Sequence, residues 1–379
     1  MWTLLAGQTF AFAITLAITV LVIACPHALG LAIPTVTTIA TSLSVKNGVF
    51  IKNLTKIETV RKADYVVFDK TGTLTKGVFA VIGVEALTGA KDEVVRLAAA
   101  LEQNSSHVIG QSIVAYAQKN SIALAPIGDF ENLAGKGIRA KIDGVEYLVG
   151  NRALMDDAGI FLDEMVPAFE RFSREGATTI FVADTRKPLG LIVLADEVKP
   201  ESKDTICQLH RLGLKVAMLT GDNKSVAEGV ARQLEIDTYF AEVLPQDKYS
   251  HIKQLEDQGN IVIMVGDGVN DAPALTQADA GIAIGAGTDV AVEAGDIVLT
   301  RSNPGDVVRL IVLARAVYSK MIQNLWWAFG YNVVAIPAAA GLFAAWGFFL
   351  RPEIGVLLMA SSTAVVVINA ISLRGLKFD

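Results

Sequence analysis

The chain has 379 residues, of which 52% are hydrophobic and 19% charged, and its formal net charge is −6. This composition is too apolar for an ordinary soluble enzyme of two or three domains. The negative net charge argues against nucleic acid as a partner.

Three long runs without a charged residue predict membrane-spanning helices. The sequence has no Asp, Glu, Lys or Arg from Met1 to Ser44, from Leu325 to Leu350, or from Ile354 to Leu373. A helix needs about 20 apolar residues to cross a bilayer, so each run is long enough. The first run lacks a basic start and continues past any plausible cleavage site, so it is not a signal peptide. We expect one span in residues 1–45, and two more with a cytoplasmic tail in residues 321–379.

Basic residues indicate the orientation of these spans. Lys46, Lys52 and Lys56 follow the first run, and Arg374 and Lys377 follow the third. By the positive-inside rule both flanks lie in the cytoplasm, together with the soluble part between them. We expect an integral protein of a prokaryotic plasma membrane, with the lipid bilayer as a partner and the catalytic domains in the cytoplasm.

The first span contains the string Cys25-Pro26-His27. Proline removes a backbone hydrogen bond and opens the helix, so that nearby groups can face a ligand. A thiolate and an imidazole beside that break are soft and borderline metal ligands. The alternative is a buried cysteine and a histidine packed against a neighbour, although an ionisable pair inside a membrane is a functional candidate by default. The other cysteine, Cys207, lies in the soluble part, which excludes a disulfide framework.

The soluble part alternates short apolar runs with helical stretches, as βαβ units do. Strands are predicted at residues 66–68, 215–219 and 261–265, each ending in an acidic or glycine-rich turn, with shorter strands at residues 281–284 and 297–299. This pattern predicts a doubly wound parallel sheet with its chemistry at the carboxyl edge. We assign residues 46–78 and 189–320 to this domain and expect its sheet to resume with the strand Leu189–Ala195.

The pattern changes between residues 79 and 188. Two helical stretches, at residues 92–102 and 108–119, precede strand-like pieces at residues 137–142 and 147–150. We expect a second, α+β domain inserted into the first.

The string DKTGTLT, residues 69–75, places Asp69 at the carboxyl end of the first predicted strand. A carboxylate at that position can attack a phosphoryl group and become an aspartyl-phosphate. The turns after the later strands bring further groups to the same edge: a hydroxyl and backbone N–H groups, a cation, and carboxylates that suit Mg²⁺. These groups are Thr220, Gly221 and Asp222, then Lys248, then Asp267, Asn270 and Asp271. Taken singly, Asp222 or Asp271 would more often be a helix cap or a turn residue.

Thr71 decides between two reaction types, rapid hydrolysis of the aspartyl-phosphate and its persistence. Phosphatases of the haloacid dehalogenase superfamily usually have a second aspartate two residues after the nucleophile, which acts as general acid and base. Threonine cannot do this work, so the acyl-phosphate is expected to persist.

These motifs resemble those of the P-type ATPases, ion pumps that are phosphorylated on an aspartate. The resemblance implies a haloacid-dehalogenase-like α/β phosphorylation domain, an inserted nucleotide-binding domain and three transmembrane helices. It implies that Asp69 is phosphorylated from ATP and that Asp69, Asp267 and the carbonyl of Thr71 bind Mg²⁺. It also implies that Asp196 belongs to the hinge between the two soluble domains.

The insert resembles the nucleotide domain of heavy-metal P-type ATPases, which carries a glutamate, a Ser-x-His-Pro element and a Gly-x-Gly turn. The matching residues imply an ATP site formed by Glu102, His107, Gly135, Gly137 and Asn151. A glycine pair lets the backbone approach the nucleotide closely. The sequence departs from the family at Val108, where proline is usual, which puts the orientation of His107 in question.

The Cys-Pro-His string resembles a subgroup of the heavy-metal pumps that is associated with copper and silver export. The resemblance extends the transported-metal site from Cys25 and His27 to further positions in the later spans: Tyr331, Asn332, Met359, Ser362 and Thr363. Met, Cys and His favour copper over zinc. A zinc pump is expected to carry an Asp or Lys in its later spans, and these spans have none. The oxidation state, Cu⁺ or Cu²⁺, stays open.

No Thr-Gly-Glu string, the dephosphorylation motif of the family's actuator domain, occurs in the sequence. We expect the chain to be the carboxyl-terminal portion of a copper-translocating ATPase that needs an actuator as a partner. On this reading it is phosphorylated by ATP but dephosphorylates slowly and does not sustain transport. The alternatives are a fragment of a zinc or cadmium pump, or a membrane-anchored phosphatase that does not transport.

Overall fold

A computed structural model describes residues 9–25, 27–87, 89–105, 107–133, 135–267, 269–285 and 289–376. Four residues in or beside the motifs above lie outside the described residues: Pro26 of the Cys-Pro-His string, Ser106 before His107, Gly268 after Asp267, and Lys377. The chain divides into two compact units. One contains the chain up to Lys62, Ile297–Thr300 and the chain from Asp306 onward, and the other contains Ala63–Asp296 and Arg301–Gly305.

The elements are numbered in chain order. The helices are α1 (Phe10–Ile23), α2 (His27–Lys46), α3 (Lys56–Lys62), α4 (Lys91–Glu102), α5 (Val108–Lys119), α6 (Arg152–Asp157), α7 (Val166–Arg174), α8 (Pro200–Arg211), α9 (Lys224–Leu234), α10 (Lys248–Glu256), α11 (Ala272–Gln277), α12 (Asp289–Ala294), α13 (Gly305–Ala339) and α14 (Pro352–Ile371). The strands are β1 (Val49–Ile51), β2 (Tyr65–Asp69), β3 (Thr75–Ala86), β4 (Gly128–Leu133), β5 (Gly137–Ile142), β6 (Val145–Gly150), β7 (Thr178–Asp184), β8 (Pro188–Val198), β9 (Lys215–Leu219), β10 (Thr238–Phe240), β11 (Val262–Gly266), β12 (Ala280–Ile284) and β13 (Ile297–Leu299).

The larger unit contains a parallel sheet with the order β12-β11-β2-β9-β10. Val66, Val67 and Phe68 of β2 are fully buried, as expected for a strand covered on both faces. Because β2 lies between β11 and β9, the residues that follow these three strands meet at one edge of the sheet. The predicted parallel α/β architecture is therefore present.

A six-stranded antiparallel sheet, in the order β3-β8-β7-β6-β5-β4, forms the inserted domain with α4 and α5. The expectation that the parallel sheet resumes at Leu189–Ala195 is wrong. This segment is part of β8, which pairs antiparallel with β3 and β7, and the parallel sheet resumes with β9. Ile192 and Leu194 face one hydrophobic cluster while Leu191 and Val193 face another. Burial on both faces gives β8 the continuous apolar run that is typical of a parallel strand.

The smaller unit contains the apolar helices. Among the described residues, two helical segments are long and apolar enough to cross a membrane: Phe10–Lys46, which includes the break before His27, and Pro352–Gly375. Only 29% and 17% of their most apolar stretches are buried, which differs from the core helix of a soluble protein. These segments correspond to the first and third expected spans.

The span expected at Leu325–Leu350 is not confirmed. Helix α13 ends at Ala339, so only the first part of this run is helical, and a short 3₁₀ turn at Ala344–Trp346 follows. Asn332 and Pro337 also lower the apolar character of the helical part. The second expected span therefore stays a prediction.

Candidate functional site

Asp69 ends the central strand β2 and is buried, with 6% of its surface exposed. Lys248, the first residue of α10, reaches it from the side: its Nζ donates to Asp69 Oδ1 at 2.6 Å and to Asp271 Oδ1 at 2.6 Å. The ammonium therefore lies between two buried carboxylates. Ion pairs this deeply buried are rare unless both partners are satisfied, which makes the cluster a functional candidate.

A third carboxylate, Asp267, completes the cluster. Carboxylate oxygens of Asp69, Asp267 and Asp271 lie within 4.8 Å of one another. Two glycines make this approach possible: a Cβ on Gly266 would lie 2.6 Å from Asp271 Oδ2, and one on Gly72 would lie 1.8 Å from Asp267 Oδ2. Three hard oxygen donors at this spacing fit Mg²⁺.

The electrostatics of the cluster favour the binding of a cation. Burial, then the charge of Asp271, raises the pKa of Asp69 to about 7. The same two causes raise the pKa of Asp267. Burial lowers the pKa of Lys248, but Asp69 and Asp271 outweigh it and hold that pKa above its ordinary value. The lysine therefore stays charged, while the carboxylates repel one another when no metal is bound.

The loop after Asp69 brings its backbone to the cluster. Lys70–Leu74 form an irregular turn in which Thr71 is extended and Gly72 has φ +76°. Only glycine adopts this conformation readily, and only glycine fits beside Asp267. The side chain of Thr71 is exposed, and its peptide group joins directly to Gly72. This arrangement is compatible with the expected role of the Thr71 carbonyl.

Thr220-Gly221-Asp222 follow β9 at the same sheet edge. Thr220 is buried, and its Oγ1 accepts from the backbone N–H of Asp222 at 3.1 Å. Asp222 forms an ion pair with Lys70, with 2.5 Å between Nζ and Oδ2. The structure thus gives Asp222 a partner that sequence reasoning missed, although Lys70 stands directly after Asp69. Asn270 is exposed in the 3₁₀ turn that leads to Asp271.

The strands that join the inserted domain to the sheet also hold the loop. Asp196 of β8 accepts from Thr75 Oγ1 at 2.5 Å and from the Gly77 N–H at 3.0 Å. Lys199, which follows β8, donates from Nζ to the Gly72 carbonyl at 2.6 Å. Sequence reasoning assigned Asp196 to the hinge but missed Lys199, whose partner is 127 residues away.

A cavity of about 770 Å³ opens in the inserted domain. It is lined by all five residues proposed for the nucleotide: Glu102, His107, Gly135, Gly137 and Asn151. A Cβ on Gly137 would lie 2.2 Å from the Val149 carbonyl oxygen, so this position requires glycine. Asn151 caps α6 through Leu154 N–H and donates from Nδ2 to the Gly135 carbonyl at 3.0 Å. Its structural role is therefore to fix the Gly-x-Gly turn.

His107 caps helix α5 at the edge of this cavity. Its Nδ1 accepts from the Ile109 N–H at 3.3 Å, which leaves Nε2 as the protonated nitrogen. Val108 occupies the first helical position, where proline is well tolerated and no helical hydrogen bond is required of its N–H. The departure from the family at Val108 is therefore compatible with an ordered His107.

Glu102 presents an unusual buried carboxylate to the cavity. It is 8% exposed, and its Oε2 has no hydrogen-bond partner among the described residues. Burial raises its pKa, opposed by Ser105 and His107. A buried polar atom without a partner is costly and suggests a ligand that satisfies it.

The structure brings only some of the residues expected to bind the transported metal close to the break between α1 and α2. Cys25 and His27 are exposed on the two sides of the break between α1 and α2. Tyr331 donates from its hydroxyl to the Ile23 carbonyl at 3.3 Å, close to that break. Asn332 Oδ1 and Ser362 Oγ are buried atoms without a hydrogen-bond partner in the described part of the chain. Of the other expected residues, Thr363 bonds to the carbonyl of Met359 at 3.1 Å, and Met359 is half-buried.

Comparison with known proteins agrees with this geometry. The family model of haloacid dehalogenase-like hydrolases matches residues 63–279, more than half of the chain. The solved catalytic domain of the CPx-ATPase CopB-B is 31% identical, with a TM-score of 0.58 over 70% of this chain and 96% of that domain. The chain belongs to the P-type ATPases, within the haloacid dehalogenase-like hydrolases.

Longer relatives of this P-type ATPase chain match almost all of it. A copper-exporting P-type ATPase B of Archaeoglobus fulgidus is 48% identical over 96% of the chain and 52% of the relative. A probable copper-exporting P-type ATPase V of Mycobacterium tuberculosis is 45% identical over 98% of the chain and 48% of the relative. The chain spans about half the length of these curated relatives. A zinc-transporting PIB-type ATPase structure is 32% identical, with a TM-score of 0.85 over 98% of the chain and 60% of that protein.

Proposed function

We propose that the chain carries the phosphorylation site, the nucleotide site and part of the metal path of an ATP-driven copper exporter. The observation that carries this proposal is the buried contact of Lys248 with Asp69 and Asp271 beside Asp267. This arrangement provides a nucleophile, a cation for the transferred phosphoryl group and oxygen ligands for Mg²⁺ at one sheet edge.

The proposed reaction is phosphoryl transfer from ATP to Asp69. An ionised Asp69 oxygen forms a bond to the γ-phosphorus while the bond to the β-phosphate bridging oxygen breaks, and ADP leaves. Lys248 stabilises the negative charge of the transferred group, and Thr220 and the backbone N–H groups around Gly221 bind its oxygens. Mg²⁺, held by Asp69, Asp267 and the Thr71 carbonyl, would neutralise phosphate charge when bound. Asp271 keeps Lys248 in place through the 2.6 Å contact.

Thr71 supports a long-lived phosphoenzyme. It offers no acid or base two residues after the nucleophile, and its side chain is exposed. We further propose that rapid dephosphorylation needs an actuator domain, because no Thr-Gly-Glu motif occurs in the 379 residues.

Labelling from γ-³²P-ATP tests the reaction. We expect an acid-stable, hydroxylamine-sensitive phosphoenzyme from the chain in detergent, and none from Asp69→Asn. Asp247→Asn is the matched control, because Asp247 is exposed beside Lys248 and lies outside the cluster. Steady hydrolysis of small phosphomonoesters without a phosphoenzyme would instead support the phosphatase alternative.

The transported ion is proposed to be copper, bound by Cys25, His27, Tyr331, Asn332, Met359 and Ser362. Support comes from the soft ligand set and from the copper-named relatives. It also comes from Asn332 Oδ1 and Ser362 Oγ, buried atoms that have no hydrogen-bond partner among the described residues. The zinc-transporting structure, with its TM-score of 0.85, favours a second candidate, zinc or cadmium.

A metal panel separates the two candidates. Phosphoenzyme levels are measured with Cu⁺, Cu²⁺, Ag⁺, Zn²⁺ and Cd²⁺, and we expect a response to copper or silver only. Cys25→Ala should remove this response, whereas Cys207→Ala, at the other cysteine of the chain, should keep it. A response to zinc and cadmium alone would reject the copper proposal.

A further inference from the structure

Lys199 is a buried lysine with no role in the reaction described above. It precedes α8 and is 7% exposed. Its Nζ donates to the Gly72 carbonyl at 2.6 Å and to Ser302 Oγ at 2.8 Å. A buried ammonium is costly unless its hydrogen bonds are satisfied, so its position requires an explanation.

The segment that begins at Lys199 holds the loop after Asp69, residues Lys70–Leu74, at two points. The Lys199 N–H donates to the Leu74 carbonyl at 3.0 Å, and Ser202 Oγ donates to the same carbonyl at 2.6 Å. These contacts fix the end of the loop, whereas the ammonium of Lys199 fixes its middle at Gly72. The two contacts therefore have separable roles: one anchors the chain, and the other sets the orientation of a peptide group.

Gly72 is the part of the loop that touches the carboxylate cluster. A Cβ at this position would lie 1.8 Å from Asp267 Oδ2, so the backbone lies directly against that carboxylate. The peptide before Gly72 carries the Thr71 carbonyl that is proposed for Mg²⁺. A rotation about the Gly72 backbone would therefore move this carbonyl relative to Asp69 and Asp267.

We propose that Lys199 is a positioning residue for phosphoryl transfer, and this inference rests on the proposed phosphorylation of Asp69. Its ammonium holds the Gly72 carbonyl, which keeps the Thr71–Gly72 peptide in register with Asp267. Its charge also attracts the Asp267 carboxylate. Because Lys199 directly follows β8, the loop geometry is tied to the strand that leaves the inserted domain.

The test compares Lys199→Met, Lys199→Arg and the control Lys76→Met in the full chain. Lys76 is a neighbouring lysine whose ion pair with Glu197 is exposed. Single-turnover phosphorylation at saturating ATP should fall on the order of tenfold to a hundredfold in Lys199→Met, the effect of misplacing reacting groups by about 1 Å. The KM for ATP should stay unchanged, because the cavity residues are untouched. Lys199→Arg should recover most of the rate, and Lys76→Met should match the parent.

A second readout does not depend on turnover. Beryllium fluoride with MgCl₂ mimics the phosphorylated aspartate, and its binding is measured as a rise in the thermal midpoint. The parent and Lys76→Met should show the rise, and Lys199→Met should show a clearly smaller one. An equal rise in Lys199→Met, an unchanged rate, or Lys199→Arg no better than Lys199→Met would overturn the inference. A parent that shows neither a phosphoenzyme nor this rise would instead reject the proposed function itself.

Discussion

The carboxylate cluster around Lys248 and the cavity of the inserted domain are built by opposite means. The cluster holds Asp69 and Asp271 by direct contacts with Lys248, and Asp267 lies beside them. The cavity depends on backbone shape, with a Gly-x-Gly turn held by Asn151 and a buried Glu102 whose Oε2 has no hydrogen-bond partner in the described part of the chain. Removing a charge from the cluster should therefore damage chemistry and stability together. Changes in the cavity should act on affinity alone.

The largest effect is expected from Lys248→Met. Phosphorylation should fall about 10²- to 10³-fold, as when a transition-state donor is lost. Removing one partner of a buried ion pair should also cost about 3–5 kcal/mol of stability. Rapid-quench labelling and chemical denaturation measure the two effects. Lys253→Met, on the exposed face of the same helix, should change neither, and a stable, active Lys248→Met would contradict the assigned role.

Thr71→Asp should make the phosphoenzyme at Asp69 hydrolyse faster. An aspartate two residues after the nucleophile supplies the missing acid and base, and such groups contribute on the order of 10²-fold or more to rate. Decay of the labelled phosphoenzyme in a chase should become at least about tenfold faster. Thr71→Asn, which has a similar size but no acid or base, should decay like the parent. Equal decay of both variants would show that water access limits hydrolysis.

Gly137→Ala tests the cavity side of the comparison. Its φ of +149° and the Val149 carbonyl 2.2 Å from an added Cβ leave no room for a side chain. Strain of about 1–3 kcal/mol should weaken ATP binding by about tenfold. The phosphorylation rate at saturating ATP should be unchanged. Gly144→Ala is the control, since Gly144 also has positive φ but open space around it, and a lower saturating rate for Gly137→Ala would break the comparison.

The stabilisation of the protein by Mg²⁺ should depend on pH, because the metal competes with protons for the carboxylates of the cluster. Asp69 has a pKa of about 7, above its unfolded value near 3.8. Because this pKa is higher in the folded state than in the unfolded state, protonation of Asp69 stabilises the fold. This contribution to the free energy of unfolding is fully present below the unfolded-state pKa and is lost as the pH rises through about 7. MgCl₂ should therefore raise the thermal midpoint more at pH 8 than at pH 5.5. Asp69→Asn should reduce this difference, and a Mg²⁺ response that does not change with pH would contradict it.

Val108→Pro should produce the smallest effect. His107 is already extended, with φ −76° and ψ 136°, as a residue before proline must be. Proline at the first helical position should stabilise the domain by about 0.5 kcal/mol through the unfolded chain. ATP affinity should stay within about twofold, because His107 keeps its bond to Ile109. A large gain in affinity would show that Val108 leaves His107 misplaced.

The sequence predicted the features that depend on local order along the chain. Asp69 ends a buried strand, and Thr220 and Asp267 directly follow two others. Parallel strands bring such residues to one edge whatever lies between them. The five cavity residues were found through short motifs, and the structure places all five around one opening. Their roles in nucleotide binding stay predictions.

What the sequence did not reveal depends on distant contacts. Lys199 and Lys70 look like ordinary surface lysines until Gly72 and Asp222 are placed beside them. The partner strand of Leu189–Ala195 could not be read from its apolar run, because burial on both faces occurs in either sheet. A charge-free run also does not reveal where a helix ends, as the end of α13 at Ala339 shows.

The pairing of β3 with β8 brings the two ends of the inserted domain close together. Thr75 and Val198 are register partners, so the inserted domain enters and leaves the fold at two facing peptides. Facing residues of an antiparallel pair lie only about 5 Å apart. A tight hairpin turn would close the same gap, so the rest of the fold does not depend on what connects the two strands. The length and sequence of the insert can therefore vary without shifting the strand that carries Asp69.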